Sequence, residues 1–439
     1  MRGADHLVKT LSDAGVTRIF SLSGNQIMPI YDACIDVGIE IVHTRHEAAA
    51  VFMADAYAQL TGEVGIALVT AAPGAANAMG ALYTVRQSES AVVLLTGDAP
   101  RAQEGLGAFQ ELDQVAMSAP MTKLSFRAEG AAQMGADMAR AMAVAAAGRP
   151  GPVHLALPFD VVNATAATAD APEAVAPAPL PDLSALTEAL AKAVRPIVLT
   201  GPALSATRAS AVLALIGAAA DAPVLCLESP RGLRDPSLGN VAGVIAEADM
   251  IVSFGKRVDF TLGFGKPASP SMGWWIVDAE ADALGMAERN LGDALAWQGE
   301  ADPVAAAKAL EPRPALDAPA RALWRARVGE LIGTSAVVAA PERAGEITSP
   351  MLVNAVARAM DNAGKPPVLV ADGGEFGQWA QAGMTPPERV INGPSGAIGG
   401  GLCYAIAASK ARPDAAIFAL MGDGTTGFHF AEFETAARE

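Results

Sequence analysis

The sequence predicts an α/β fold of doubly wound parallel sheets arranged as three successive domains, and three observations carry that expectation. Short apolar runs alternate with helical stretches along most of the chain. Two Ala- and Pro-rich zones without hydrophobic period interrupt this alternation. A chain of 439 residues with 51% hydrophobic content is also too long for one ordinary core. The expected domains are 1–165, 182–312 and 347–439, joined by linkers at 166–181 and 313–346.

Leu7, Val8, Leu11 and Ala14 recur at helical spacing, Gly15 ends that helix, and 18–22 follows as the first strand. Ile39, Ile41 and Val42 form a second short strand. Next, Ala48, Val51, Phe52, Ala54, Ala56, Tyr57 and Leu60 mark a helix with Glu47 in its first turn. Backbone amides and the helix dipole favour an acidic side chain there, so capping alone would account for it. Further strands at 65–70, 91–96 and 153–157 are separated by helices at 75–87 and 133–147. Ligands of such sheets bind beyond the carboxyl ends of the strands. Ser23-Gly24-Asn25-Gln26, Ala72-Pro73-Gly74 and Gly97-Asp98 lie in that zone. Gln26 has two readings: a turn residue bonding its own backbone, or an amide that orients a carbonyl substrate.

Strands at 196–200, 223–227, 250–254 and 274–277 alternate with Ala-rich helices and predict a second parallel domain. EPRPALDAPA, a helix and the loop around 340–346 form the second linker. Beyond it, a strand at 368–371 enters Asp372-Gly373-Gly374-Glu375-Phe376, and one at 416–420 enters Met421-Gly422-Asp423-Gly424-Thr425-Thr426. The glycines let backbone amides approach a diphosphate, while Asp423 offers a hard oxygen ligand for Mg²⁺.

The formal charge of −16, with no compensating basic run, excludes a general nucleic-acid or anionic-membrane surface. Cys34, Cys226 and Cys403 are too scattered for a disulfide framework or metal spacing, which fits a reducing cytoplasm. Asp5, Lys9 and Asp13 stand where a signal peptide needs an apolar core, and no run is apolar enough to span a bilayer. A soluble, cytoplasmic protein is expected.

The run RHEAAAVFMADAYAQLTG, followed by GIALVTAAPGAANAMGAL, resembles the pyrimidine-binding domain of thiamine diphosphate (ThDP) enzymes. The likeness is to the branch of acetolactate synthase, benzaldehyde lyase and 2-hydroxyacyl-CoA lyase. GAFQELDQVAMSAPMTKLSFR, GKRVDFTLGFGKP and GPSGAIGGGLCYAIAASKARPDAA extend it through a central domain into a diphosphate-binding domain. The resemblance implies that Glu47 bonds the aminopyrimidine of ThDP as the proton-relay carboxyl. Burial of that carboxyl, raising its pKa, is expected. It gives Gln110 an oxyanion-stabilising role and adds Gln26 to the catalytic set. The implied cofactor-binding residues are Asn25, Pro73, Gly74, Asn77, Gly374, Glu375, Phe376, Ser395, Gly396, Ile398, Gly422, Gly424 and Thr425, with Asp423 on Mg²⁺. Ile398 would prop the cofactor in a bent shape, the glycines around it admitting something other than protein. Lys123 matches the family but reads as a solvated surface residue.

The central domain holds FAD or an ADP group in some members. GKRVDFTLGFGKP carries no GxGxxG fingerprint for one, although Arg257 is placed to contact it. The reaction implied first is ThDP- and Mg²⁺-dependent decarboxylation and carboligation of 2-oxo acids, as in acetolactate synthase. The alternatives are a lyase of 2-hydroxy ketones or 2-hydroxyacyl-CoA, and a non-catalytic binding subunit of the same fold. A homodimer or homotetramer is implied, Glu47 facing the diphosphate domain of a neighbouring chain. The displayed sequence stops at Glu439, before the Asn pair with which the family completes its metal site. The last domain is therefore expected to be incomplete and to seat no ThDP properly as it stands.

Overall fold

The structure is a computed structural model that describes residues 1–167, 179–311, 313–333, 345–384 and 386–439. The middle of the first linker and much of the 334–346 loop lie outside the described residues. Three sheets emerge. The first contains β1 (Arg18–Ser21), β2 (Glu40–His43), β3 (Gly65–Val69), β4 (Val92–Asp98), β5 (Leu124–Arg127) and β6 (Pro152–Pro158), in the order β2-β1-β3-β4-β6-β5. The second contains β7 (Pro196–Thr200), β8 (Val224–Cys226), β9 (Met250–Phe254), β10 (Trp274–Asp278) and β11 (Leu295–Glu300), in the order β11-β10-β9-β7-β8. The third has β12 (Pro367–Ala371) between β13 (Glu388–Ile391) and β14 (Ala416–Leu420). With their covering helices, these make the α/β architecture expected from the alternation. Strands β5, β11 and β13 carry weak apolar patterns and were not anticipated.

The chain forms two compact units: Met1–Ala176 with Val368–Gly373 and Val390–Glu439, and Pro177–Pro367 with Gly374–Arg389. In the first unit, all ladders of the six-stranded sheet are parallel. Alternate residues face opposite cores, as strand geometry requires. Ile66 and Leu68 of β3, with Val93 and Leu95 of β4, join Leu7, Leu11 and Ile30 on one face. Ala67, Val69, Val92 and Leu94 point to the other, where the helices Glu47–Thr61 and Pro73–Ser88 pack with Gly401–Ala411 through Phe52, Leu82, Leu402 and Tyr404.

The second unit repeats the pattern around β7–β11, again all parallel. The helix Ala318–Gly333, expected within a linker, sends Trp324, Val328 and Leu331 into its core. Trp324 donates to Pro196 O at 2.8 Å, and the buried Arg321 guanidinium donates to Leu190 O and Asp221 O. The residues 318–333 are thus core rather than connection. No helix among the described residues is long and apolar enough to cross a membrane. The three cysteines are free, and burial pushes the Cys34 thiol up to about 12.

Candidate active site

In the first sheet, β1 has β2 on one side and β3 on the other, so successive crossovers leave β1 in opposite directions. The crevice outside the carboxyl ends of β1 and β3 is the topological switch point, where open α/β sheets bind ligands. Two loops meet there. A Cβ on Gly24 would lie 2.3 Å from the Cβ of Thr70, so only glycine lets the first loop close over the second. The Thr70 hydroxyl donates to Gln26 Oε1 at 2.7 Å, and Gln26 Nε2 donates to Gln110 Oε1 at 2.6 Å. Gln26 is buried against Gly97, whose own Cβ would come within 2.8 Å of the Gln26 Cβ. The side chain therefore reaches outward into a network; it is not folded back on its own turn.

Gln110 reaches this position through a left-handed backbone, φ +59°. Its neighbour Glu111 steadies the loop by accepting from the backbone N–H of Gly105, of Gly107 at 2.9 Å and of Ala108 at 3.0 Å. Those amides hold the Glu111 carboxyl below its ordinary pKa. On the other side of Thr70, Ala72 adopts φ 45° and ψ −92° just before Pro73 opens the next helix. Such strained non-glycine backbone persists only where its surroundings enforce it, and it concentrates at functional sites. A Cβ on Gly74 would lie 2.8 Å from Thr70 Cγ2 and 3.5 Å from Glu47 Oε1. Asn77 Nδ2, one turn along, donates to Glu47 Oε2 at 3.0 Å. The fold thus assembles Glu47, Gly74, Asn77, Gln26 and Gln110 in one crevice, with Thr70 between them. Asn25 is exposed.

Glu47 occupies the first turn of its helix, and His46 is the N-cap, accepting from Ala48 N–H. The carboxyl is half-buried, contrary to the deeper burial expected, because the start of the Pro73–Ser88 helix covers only one side. The turn is tied to the C-terminal segment of the same unit. Arg45 N–H donates to Glu432 Oε1 at 2.8 Å, and the His46 and His429 rings meet edge to face at 5.6 Å. His429 Nδ1 lies 2.7 Å from Gly399 O, and burial lowers its pKa.

At the end of β12, the buried Asp372 accepts from the backbone N–H of Gly373 at 2.6 Å, Gly399 at 3.0 Å and Gly401 at 3.1 Å. Burial raises its pKa while these amides pull it down. Asp372 is the anchor of the glycine loop, a role the motif reading missed. An Asp ending an apolar strand just before glycines was the available signal. The glycines flanking Ile398 correct a second expectation, because two of them admit protein. A Cβ on Gly399 would lie 2.4 Å from the Cβ of Phe428, and one on Gly401 would lie 2.8 Å from Met421 Cγ. Gly396 and Gly424 do face open space, and Ile398 is 38% exposed. Ser395 is engaged within the loop, donating to Asn392 O at 2.9 Å and accepting from Ala397 N–H at 3.1 Å. Thr425 Oγ1 donates to Gly422 O at 3.0 Å, and Asp423 is exposed at the start of the short helix Asp423–Phe428. Within the second unit, Gly374, Glu375 and Phe376 open the helix Gly374–Gly383, and Arg231 donates to Gly374 O at 2.9 Å.

Residues 1–117 match the N-terminal thiamine pyrophosphate-binding domain of thiamine pyrophosphate enzymes, and residues 372–439 match the C-terminal one. The chain thus carries matches to both domains of the thiamine pyrophosphate enzymes. It is 29% identical over 454 residues to the acetolactate synthase large subunit of Mycobacterium tuberculosis, covering 98% of this chain and 80% of that relative. Similarity to 2-hydroxyacyl-CoA lyase 2 of Bos taurus is equal in degree, 29% over 498 residues, covering 99% and 76%. A shorter match, 42% over 164 residues, links it to the isozyme 3 large subunit of Escherichia coli acetolactate synthase, covering 37% of this chain and 29% of that one.

The residues present fit thiamine pyrophosphate. A half-buried carboxyl oriented by Asn77 suits the ring nitrogens of an aminopyrimidine, and the open space at Gly396 and Gly424 suits a diphosphate. Among the described residues no three His, Cys, Asp or Glu side chains converge as a metal cluster. A lone Asp423 is compatible with Mg²⁺, which completes its shell with phosphate oxygens and water. In the second unit, Arg257, expected near an FAD or ADP group, is paired with Glu280 at 2.6 Å at the ends of β9 and β10.

Proposed function

We propose that this enzyme makes or breaks the carbon–carbon bond beside a carbonyl, and that its first substrates are 2-oxo acids. Glu47 is the proton-relay carboxyl, the Gln26–Gln110 pair faces the reacting carbonyl, and Asp423 holds Mg²⁺ at the diphosphate. Thiamine diphosphate, when bound, supplies a carbon nucleophile and an electron sink. The protein's own work is orientation, proton placement and charge stabilisation. The observation that carries this reading is the single crevice at the β1/β3 switch point, where a carboxyl and two neutral amides stand around Thr70. An amide donates to a developing oxyanion without competing for the proton that Glu47 relays.

A lyase acting on 2-hydroxy ketones or 2-hydroxyacyl thioesters is the second reading. It is favoured by the equal similarity to 2-hydroxyacyl-CoA lyase 2 and by the amide of Gln26 at the first loop, suited to orienting a carbonyl. Turnover of pyruvate and of a benzoin-type ketone, each with added ThDP and Mg²⁺, separates the two. Turnover of pyruvate supports the first, cleavage of the ketone alone supports the second, and thermal stabilisation on adding ThDP with Mg²⁺ but not ThDP alone supports the metal role.

The chain acts as a homo-oligomer of a reducing, cytoplasmic compartment. Among the described residues no hydrogen bond or ion pair joins Glu47, Asn77, Gln26 or Gln110 to Ser395–Ile398 or Gly422–Thr425. Completion of the site by a second copy is consistent with that separation.

A further inference from the structure

We propose that Thr70 is a positioning residue that anchors Gln26 and, through it, Gln110, so that Gln110 holds its N–H donor toward the substrate. The inference rests on the reading that this pair faces the reacting carbonyl. Its basis is the direction of the hydrogen bonds. Thr70 Oγ1 donates to Gln26 Oε1 at 2.7 Å, and Gln26 Nε2 donates to Gln110 Oε1 at 2.6 Å, so Thr70 holds the pair from one end. With its oxygen occupied, Gln110 has only its amino group left, and among the described residues that group has no partner. An oxygen there would repel a developing oxyanion, whereas an N–H stabilises it.

The backbone holds Thr70 in place to serve this purpose. Gly24 and Gly74 both lack a Cβ where one would overlap the Thr70 side chain, at 2.3 and 2.8 Å respectively. Thr70 is thereby held between two loops, with strained Ala72 two residues on and the left-handed Gln110 across the crevice. The methyl of Thr70 packs at Gly74 while the hydroxyl turns to Gln26, so one side chain uses both its branches.

The test compares Thr70→Val, which keeps the shape, with Thr70→Ser, which keeps the hydroxyl, in the full-length holoenzyme on whichever of pyruvate or benzoin it turns over. Thr70→Val should lower kcat roughly 10- to 100-fold with little change in KM, the size of loss that a misplaced catalytic donor causes. Thr70→Ser should restore most of it. In a Gln110→Leu background, Thr70→Val should have almost no further effect, because the donor it positions is already gone. Crystal structures of the cofactor-free variants give a reading independent of turnover: the Gln26–Gln110 bond should persist in Thr70→Ser and be lost in Thr70→Val. Wild-type kcat in Thr70→Val, or a Thr70→Ser variant as slow as Thr70→Val, overturns the proposal. Wild-type rates in both Gln26→Leu and Gln110→Leu overturn instead the reading of the pair as substrate-facing. Should Thr70→Val fail to fold, Thr70→Ala replaces it, with the same outcomes.

Discussion

Glu47 shows how little a residue's type says about its task until its neighbours are known. A first-turn Glu is ordinary capping chemistry, yet here its carboxyl is oriented by Asn77 from the next helix and lies over Gly74, where the backbone leaves room. Replacing it with Gln should slow exchange of the cofactor's thiazolium proton by roughly two to four orders of magnitude, the usual worth of a positioned acid–base group. Exchange at the wild-type rate, measured by NMR in the loaded protein, would remove Glu47 from the relay. His154 is a contrasting case, serving stability. It is fully buried on β6 with its ring nitrogens at Thr96, Ser118 and Ser125, and burial pushes its pKa down from 6.5 to about 4. The folded state thus disfavours the proton that the unfolded chain accepts. The stability is present above pH 6.5 and is lost as pH falls toward about 4, a loss of about 3 kcal/mol. Denaturant unfolding across that window should show the slope in the wild type and a flatter one in His154→Gln.

Three helices meet at one buried carboxylate. Asp55 of Glu47–Thr61 accepts from Gln59 at 2.9 Å, from Ser88 at the end of Pro73–Ser88 at 3.3 Å, and from Tyr404 of Gly401–Ala411 at 3.1 Å. A carboxyl group with no access to water needs such donors, and the apolar packing of Phe52 against Tyr404 closes around them. Tyr404→Phe removes one donor without opening a cavity and should cost about 1–3 kcal/mol in unfolding free energy, as expected for a buried polar group left short of a partner. A change within error would mean that another donor takes its place. The same elements carry function, because this packing fixes the helix whose first turn bears Glu47. Helix periodicity in the sequence predicted the first two of these helices, but nothing in it paired Asp55 with a tyrosine 349 residues away.

For the whole molecule, the open question is which chain supplies each half of the site. Mixing Glu47→Gln with Asp423→Ala subunits should restore part of the activity if the carboxyl and the metal-bearing loop come from different copies. No recovery, with subunit exchange demonstrated by mass spectrometry, would place both halves within one chain.

The alternation of apolar runs and helices was legible in the sequence because burial on both faces of a parallel strand leaves a continuous apolar signature. Strand ends and the glycine turns were legible for similarly local reasons, whereas Glu47 reads locally as a helix cap and gains its task only from the resemblance to thiamine diphosphate enzymes. Weaker strands such as Leu295–Glu300 were not, since they are only partly buried and carry little such signature. The helix Ala318–Gly333 reads as linker in sequence because its few core residues sit among arginines, which the fold turns outward or pairs. Thr70 carried no signal in sequence and Asp372 only that of an Asp ending an apolar strand before glycines, their roles depending on contacts from Gly24, Gln26 and Gly399. The sequence by itself determined the repeated strand–helix units and the chemistry on offer at their ends, since both follow from short-range pattern. Only the tertiary structure decided which glycines make room for protein and which face open space, and which way an amide points, because these depend on atoms brought together from distant parts of the chain.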